Sequence, residues 1–342
     1  MIDADLLVVG GGPVGLAAAI EARLAGMSVL ICEPRTGPVD KACGEGLMPG
    51  ALRLLSRIGV DPTGRDFNGI RYLGRGLAVE HRFRSGPGRG VRRTVLHGQL
   101  ARRAAEMGVQ TVPTRVGLVR QDVAGVTVDG DLRARWLFAC DGLHSSIRRQ
   151  LGLQRLPSRP ARYGVRRHFR VSPWSDAVEV HWTPEAEIYV TPVDHDLVGV
   201  AVLGPRNVQY DDAIASARGV RERLHGAAAA SDLRGAGPMW QDTVRRTAGR
   251  VLLVGDAGGY VDALTGEGIR LGLAQARAAV AAVAAGRPGD YERAWRRESR
   301  DYRLLTAALV TAAGRRGVRS RIVPLAHRLP RVYGAIVERL AA

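Results

Sequence analysis

Apolar and polar positions follow distinct rhythms along the chain. Leu6 to Val9 is an unbroken apolar run ending at Gly10-Gly11-Gly12, which predicts a strand covered on both faces. Val14 to Leu24, rich in alanine and closed by Gly26, predicts a helix, and a second apolar run, Val29 to Cys32, leads to Glu33. Pro49 opens a short helix whose apolar set is Leu52, Leu54, Leu55 and Ile58. Residues 66–91 hold short alternating stretches, such as Leu77 to Phe83, that read as antiparallel strands. A helix from about Thr94 to Met107, a strand at 109–112, a meander over 115–136 and a strand from Trp136 to Cys140 come next. Ser145 and Ser146 can cap a short helix at 146–151. From about residue 160 the period becomes two: 163–171, 177–184, 185–193 and 196–204 alternate and are cut by Pro, Asp and Gly, which predicts an antiparallel sheet. A charged helix at 211–225 and an alanine-rich link precede the buried strand Val251 to Val254 and a long helix at 266–285. Two basic helices are expected over 290–340, the last made amphipathic by Ile322, Leu325, Leu329, Val332, Ile336 and Leu340.

The first thirty residues carry the clearest chemistry. Gly10, Gly12 and Gly15 give the spacing G-x-G-x-x-G between a strand and a helix. The first glycine permits the sharp turn, the second lets a pyrophosphate approach the backbone, and the third lets helix and strand pack closely. The helix start adds free N–H groups and a positive dipole end. Glu33 stands 18 residues after Gly15, at the tip of the second strand, placed to accept hydrogen bonds from ribose hydroxyls. An acid there favours FAD or NAD over NADP.

Composition narrows the partners. With 342 residues, 46% hydrophobic, the chain can bury a large core in one elaborated domain or two. The net charge of +17 is carried almost wholly by arginine, Lys41 being the only lysine. The arginines are spread along the chain and aromatics are only 5%, which argues against nucleic acid and leaves a surface suited to anionic cofactors. The three cysteines have no metal-ligand spacing, so no metal is expected, and their odd count suggests reduced thiols in a cytoplasmic protein. No signal peptide is read in the apolar start, and no uncharged apolar run reaches the length of about 18 residues that spans a bilayer. The amphipathic last helix packs on its own domain or allows peripheral membrane contact.

Four separated pieces then stand together: the glycine turn with Glu33, the helix start R-x-x-L at Arg93 to Leu96, Cys140-Asp141-Gly142, and Gly255-Asp256-Ala257 with Gly266-Glu267-Gly268. Their order and spacing resemble the FAD-dependent oxidoreductase superfamily of aromatic-hydroxylase type. Lys41-Ala42-Cys43-Gly44-Glu45-Gly46-Leu47 and the LTGEGI segment after GDAGGYVDA look most like its geranylgeranyl-reductase-like branch. The resemblance implies an α/β fold, with a Rossmann-like FAD-binding domain of glutathione-reductase type interleaved with an antiparallel-sheet substrate domain. The expected division is 1–70, 92–160 and 240–288 for FAD, 71–91 and 161–239 for substrate, and C-terminal helices over 289–342. It implies that Gly10, Gly12 and Gly15, with Pro13 and Val14, cradle the FAD pyrophosphate. Glu33, followed by Pro34 and Arg35, would hold the adenosine ribose, and Val116 would offer backbone to the adenine. Arg93 would reach the diphosphate–ribityl chain, Asp141-Gly142 would lie near the pyrophosphate, and Gly255-Asp256 would meet the ribityl hydroxyls. Gly266, Gly268 and Ile269 would face the flavin pyrimidine edge, and Cys43-Gly44 the isoalloxazine. No second G-x-G-x-x-G is present, so NAD(P)H is expected as a transient electron donor. His97 stands where many relatives have an acid, and the chain is shorter than the isoprenoid reductases usually are, which points to a smaller ligand.

The expected function is an FAD-dependent oxidoreductase using NAD(P)H, foremost a monooxygenase hydroxylating an aromatic or polyketide-like, partly apolar small molecule. Reduction of a carbon–carbon double bond in an isoprenoid or lipid stands close behind. A non-catalytic FAD-binding partner protein is a third reading, which the intact Glu33, Asp256 and glycines disfavour. Cys43, His168 and Tyr189 are candidate catalytic groups, as proton donors. Arg166 and His168 share one strand face and can bind a phenolate or carboxylate, with His181, Tyr189 and Thr191 as further substrate candidates. The protein is expected to act as a monomer or homodimer.

Overall fold

A computed structural model describes residues 2–342. The first strand, Ala4–Val9, is the spine of an eight-stranded sheet. Its parallel neighbours are Val29–Cys32 on one side and Leu132–Ala139 on the other, with Val9 opposite Cys32 and Leu6 opposite Trp136. Val251–Leu253 and Gln110–Val112 extend the parallel part outward. Leu6, Leu7, Val8 and Val9 are all buried, as a continuous apolar run in a covered parallel strand requires. The helices Pro13–Leu24, Arg93–Glu106 and Gly268–Ala284 supply apolar side chains to one face of this sheet. The other face is covered by the antiparallel strands Val119–Gln121 and Val126–Val128 and by Ile147 and Leu153.

A second eight-stranded sheet holds Arg162–Arg170, Leu197–Pro205, Glu187–Asp194 and Val178–Trp182 in antiparallel order, joined by Gly69–Gly74 and Leu77–Arg82. Period two sorts its faces. Ile188, Val190, Val198 and Val200 pack under the helices Tyr210–Ser216 and Arg218–Leu224. Tyr189, Thr191, Ala201 and Leu203 point the other way, into a cavity between the sheets. A small third sheet, Gly46–Leu47, Gly88–Gly90 and Arg65–Phe67, lies directly on this wall: a Cβ on Gly90 would stand 1.7 Å from the Pro192 carbonyl oxygen.

The C-terminal third departs from the expected pattern. The charged helix at 211–225 is two helices meeting at Ala217, which lies outside helical geometry (φ −101°, ψ 84°) and thereby lets Ala213, Val220 and Leu224 all reach the sheet. The two helices expected over 290–340 are four: Asp290–Ala313, Arg316–Arg319, Ile322–Arg328 and Pro330–Ala341. Pro330 ends the third of these, because its ring excludes Leu329 from helical geometry and it has no N–H to give. Pro324 is tolerated because it sits in a first turn.

A buried ion network fastens this region to the second sheet. Arg319 donates to the Thr183 carbonyl and the Glu187 carboxylate, each at 2.6 Å, and Arg162 bridges Glu187 (2.6 Å) to Asp262 (3.0 Å). Removing Arg319 leaves the buried Glu187 carboxylate to share Arg162 with Asp262. Arg319→Met is expected to lower the unfolding free energy by about 2–4 kcal/mol, measured by chemical denaturation. A loss within the scatter of surface substitutions would contradict the role given to this ion pair.

Candidate active site

The glycine turn is built by close approach. Gly10 has φ +104°, and a Cβ there would stand 2.5 Å from the Cys140 carbonyl oxygen. A Cβ on Gly15 would stand 1.9 Å from the Gly10 carbonyl oxygen, so the helix rests on the turn itself. Gly12 meets nothing nearer than the Arg93 guanidinium at 3.9 Å, which leaves room for a ligand. Glu33 accepts from the Gly11 N–H (2.9 Å) and from Arg35 (2.7 and 2.9 Å). Burial alone would raise the Glu33 carboxyl, but these donors hold it below its ordinary value. His97, the departure noted in sequence, donates from Nε2 to the Gly11 carbonyl at 2.9 Å and so clamps the turn.

Between the two sheets lies a cavity of about 290 Å³. At its polar end Gly12, Lys41, Arg93, Gly142 and Asp256 converge. Arg93 is buried and its Nη1 has no partner; burial lowers its pKa and that of Lys41. An unmatched buried cation is costly and marks a place for an anion. The Asp256 carboxyl faces the same space, and burial pushes it up to about 6. The helix Gly268–Ala284 begins at this wall, with Gly266 in the left-handed region (φ +73°) turning the chain into it. The apolar end is lined by Ile70, Val178, Leu203 and Met239 and by Val337 and Leu340 of the last helix.

The floor is the loop at 40–46. Glu45 is buried, with φ +59°, a conformation costing roughly 1–2 kcal/mol for a residue with a Cβ. Three contacts hold it: its carbonyl accepts from Val91 N–H (2.8 Å), Oε1 accepts from Arg93 N–H (2.8 Å), and Oε2 lies 2.5 Å from His168 Nε2. His168 Nδ1 stands 2.9 Å from Arg166 Nη1, and since a guanidinium only donates, Nδ1 accepts and Nε2 carries the proton given to Glu45. Arg166 donates in turn to Asp40 (2.5 Å) and the Lys41 carbonyl (3.1 Å), and Thr191 donates to the Gly44 carbonyl (2.8 Å). The second sheet thus grips the loop at four points. Cys43 lines the cavity, and burial, aided by the Glu45 charge, pushes its thiol up, so the thiol keeps its proton.

The residues singled out in sequence fall into three groups. Gly12, Pro13, Val14, Cys43, Gly44, Arg93, Gly142, Asp256, Gly266, Gly268, Ile269, Arg166, Tyr189 and Thr191 all border the one cavity. Gly10, Gly15, Glu33 and Gly255 stand behind it as framework; Gly255 accommodates a close approach to Val14. Pro34 and Arg35 follow Glu33 outside the lining, and Asp141 caps the helix Ser146–Gln150 through Ser146 N–H (2.8 Å). Val116 is packed in the core, His168 lies behind Glu45, and His181 is paired to Glu179 at 3.0 Å; none of the three lines the cavity. Tyr189 donates its hydroxyl to the Leu264 carbonyl (2.7 Å) and is raised well above its ordinary value by burial. Lys41 and Glu45 received no role from sequence, although both stand inside the quoted glycine-rich loop. Leu340 was legible only as part of an apolar helix stripe, and that stripe did not include Val337.

Comparison with known proteins agrees with this geometry. The FAD binding domain family matches residues 3–294. Menaquinone reductase of Mycolicibacterium smegmatis is 32% identical over 337 residues, covering 85% of this chain and 79% of that protein. Rifampicin monooxygenase of Streptomyces venezuelae is 35% identical over 179 residues, 46% of this chain and 36% of that one. The solved structure of the flavin-dependent brominase Bmp2 superposes with a TM-score of 0.84 at 19% identity, covering 99% of this chain and 93% of the other, a likeness of fold.

Asp256 gives a pH test. A carboxyl raised from 3.8 to about 6 supports the fold fully below 3.8 and withdraws that support as pH rises through about 6. Asp256→Asn is therefore expected to raise the melting temperature of the flavin-free protein at pH 8, by no more than about 3 kcal/mol of stability, and to leave it unchanged near pH 4. The same variant is expected to weaken FAD binding about tenfold or more. Equal melting shifts at both pH values would contradict the assignment.

Proposed function

The chain belongs to the FAD-dependent oxidoreductase superfamily of aromatic-hydroxylase type, in its geranylgeranyl-reductase-like branch, and we propose that it uses NAD(P)H to saturate a carbon–carbon double bond in an isoprenoid chain. One observation carries this reading. Arg166 and His168, the groups that would seat a phenolate in a hydroxylase, are spent on Asp40 and Glu45, while the space beyond them is walled mainly by aliphatic side chains, with Tyr72 and Tyr189 among them. Such a pocket recognises a hydrocarbon by area and shape. The similarity to menaquinone reductase over most of both chains supports a reductase.

The residues present fit FAD. Unpaired Arg93 and Lys41 beside the open Gly12 match a diphosphate, and the partnerless Asp256 carboxylate matches ribityl hydroxyls. The start of the helix Gly268–Ala284 borders the cavity and would offer its positive end to a reduced flavin held there. When bound, FAD would supply the hydride, with NAD(P)H as its source. Reduction of one double bond needs that hydride on one carbon and a proton on the other. Cys43 holds a proton at Sγ on the cavity floor, and we assign it the donor role. Tyr189 instead fixes the wall through Leu264, and His168 keeps Glu45 in place. Val337 and Leu340 close the apolar end against water.

Hydroxylation is the second reading, favoured by the similarity of 46% of the chain to a monooxygenase. Purified protein with FAD, NAD(P)H and a polyprenyl quinone or polyprenyl lipid is expected to yield a product two hydrogens heavier without oxygen, read by mass spectrometry. Cys43→Ser is expected to slow this step about a hundredfold with FAD retained. Product formed only in air, with one oxygen atom added, would overturn the reductase reading.

A further inference from the structure

The C-terminal helices present two faces with different partners. The inner face of Pro330–Ala341 carries buried Tyr333, Val337 and Leu340; Tyr333 donates to the Ile70 carbonyl at 3.0 Å, and Val337 and Leu340 line the cavity. The outer face carries Val332 and Ile336, one turn apart and 54% and 38% exposed. The preceding helix, Ile322–Arg328, buries Val323 and turns Leu325 outward at 57% exposure, and Leu329 between the two helices is 48% exposed. With Val318, these form the densest run of exposed large apolar side chains in the described residues. Elsewhere such residues are scattered, as Val123, Leu156 and Val244 are, and need no partner.

The charge around this stripe is one-sided. Arg315, Arg321, Arg328 and Arg331 are exposed within the same segment, whereas Arg316 and Arg339 face Glu185 and Asp301. The only acid after Asp301 is Glu338, and it is turned inward to His81 (2.7 Å) and the Arg84 N–H (2.9 Å). Aliphatic side chains set among unpaired arginines match the boundary of a bilayer bearing anionic headgroups. There the apolar side chains enter the acyl region and the guanidiniums stay with phosphate.

We propose that the outer face of residues 315–339 docks on an anionic lipid bilayer. Docking places the helix Pro330–Ala341 between lipid and cavity, so that one helix serves both the membrane contact and the pocket wall. The proposal draws on the isoprenoid reading only for what the bilayer delivers; the contact itself is independent of the reaction.

The test contains no turnover, so its failure is separate from failure of the reductase reading. Flavin-loaded protein is floated with vesicles of phosphatidylcholine alone and of phosphatidylcholine mixed with phosphatidylglycerol. It is expected to rise with the mixed vesicles and to stay below with the neutral ones. Val332→Glu with Ile336→Glu, and separately Arg328→Glu with Arg331→Glu, are each expected to cut binding at least about tenfold while the flavin spectrum and melting temperature hold. Wild-type protein left at the bottom with both vesicles overturns the proposal, as does equal binding to neutral and anionic vesicles. A concentration-dependent dimer in analytical ultracentrifugation, abolished by the Val332 and Ile336 substitutions, with no vesicle binding, assigns the face to a second copy instead.

Discussion

The hydrogen bond between Glu45 and His168 is the contact on which the site depends. It joins a carboxylate in a strained backbone position to a fully buried imidazole on another sheet, at 2.5 Å. A carboxylate so placed is tolerable only when each oxygen has a donor, and here the Arg93 N–H and His168 supply one apiece. The pair consequently fixes three elements at once: the loop at 40–46, the start of the helix that carries Arg93, and the strand Arg162–Arg170. The Cys43 thiol and the Arg93 guanidinium both take their positions from it.

Charge is divided accordingly. Carboxylates behind the cavity are paired, Asp40 with Arg166 and Glu187 with Arg162 and Arg319. Groups that face the cavity, Arg93, Lys41 and Asp256, lack such partners, and burial shifts each towards its neutral form. A flavin nucleotide brings the diphosphate and hydroxyls that answer them. The framework is saturated and the cavity face is left open, which is how a preorganised site differs from a structural ion network.

Local rules made the nucleotide half legible in sequence. The turn at Gly10, the packing of Gly15, the strand–helix–strand run to Glu33 and the strand before Asp256 are each set by neighbours in the chain, so motif spacing reveals them. The pocket was legible only in part. Arg166 and His168 do share a strand face, as alternation required, but what that face meets is the 40–46 loop, more than a hundred residues earlier. A periodic pattern says which side chains point together and is silent on whether a ligand or a buried carboxylate awaits them. The last helix failed for a nearer reason: its apolar periodicity runs through Leu329, while the ring of Pro330 breaks the backbone there. Glu45 carried no signal, since an acid between two glycines reads as a solvated turn until the partner strand is in place.

The central claim is that the Glu45–His168 pair holds Cys43 in the cavity floor, and the rate of Cys43 alkylation in the flavin-loaded protein tests it most directly. Cys32 and Cys140 are buried with thiols pushed up, Cys32 to about 11, so mass spectrometry can follow Cys43 against a quiet background. In the wild type Cys43 is expected to react slowly. In His168→Ala, with the melting temperature still well above the assay, it is expected to react at least about tenfold faster as the loop is released. An unchanged rate in that variant would contradict the account.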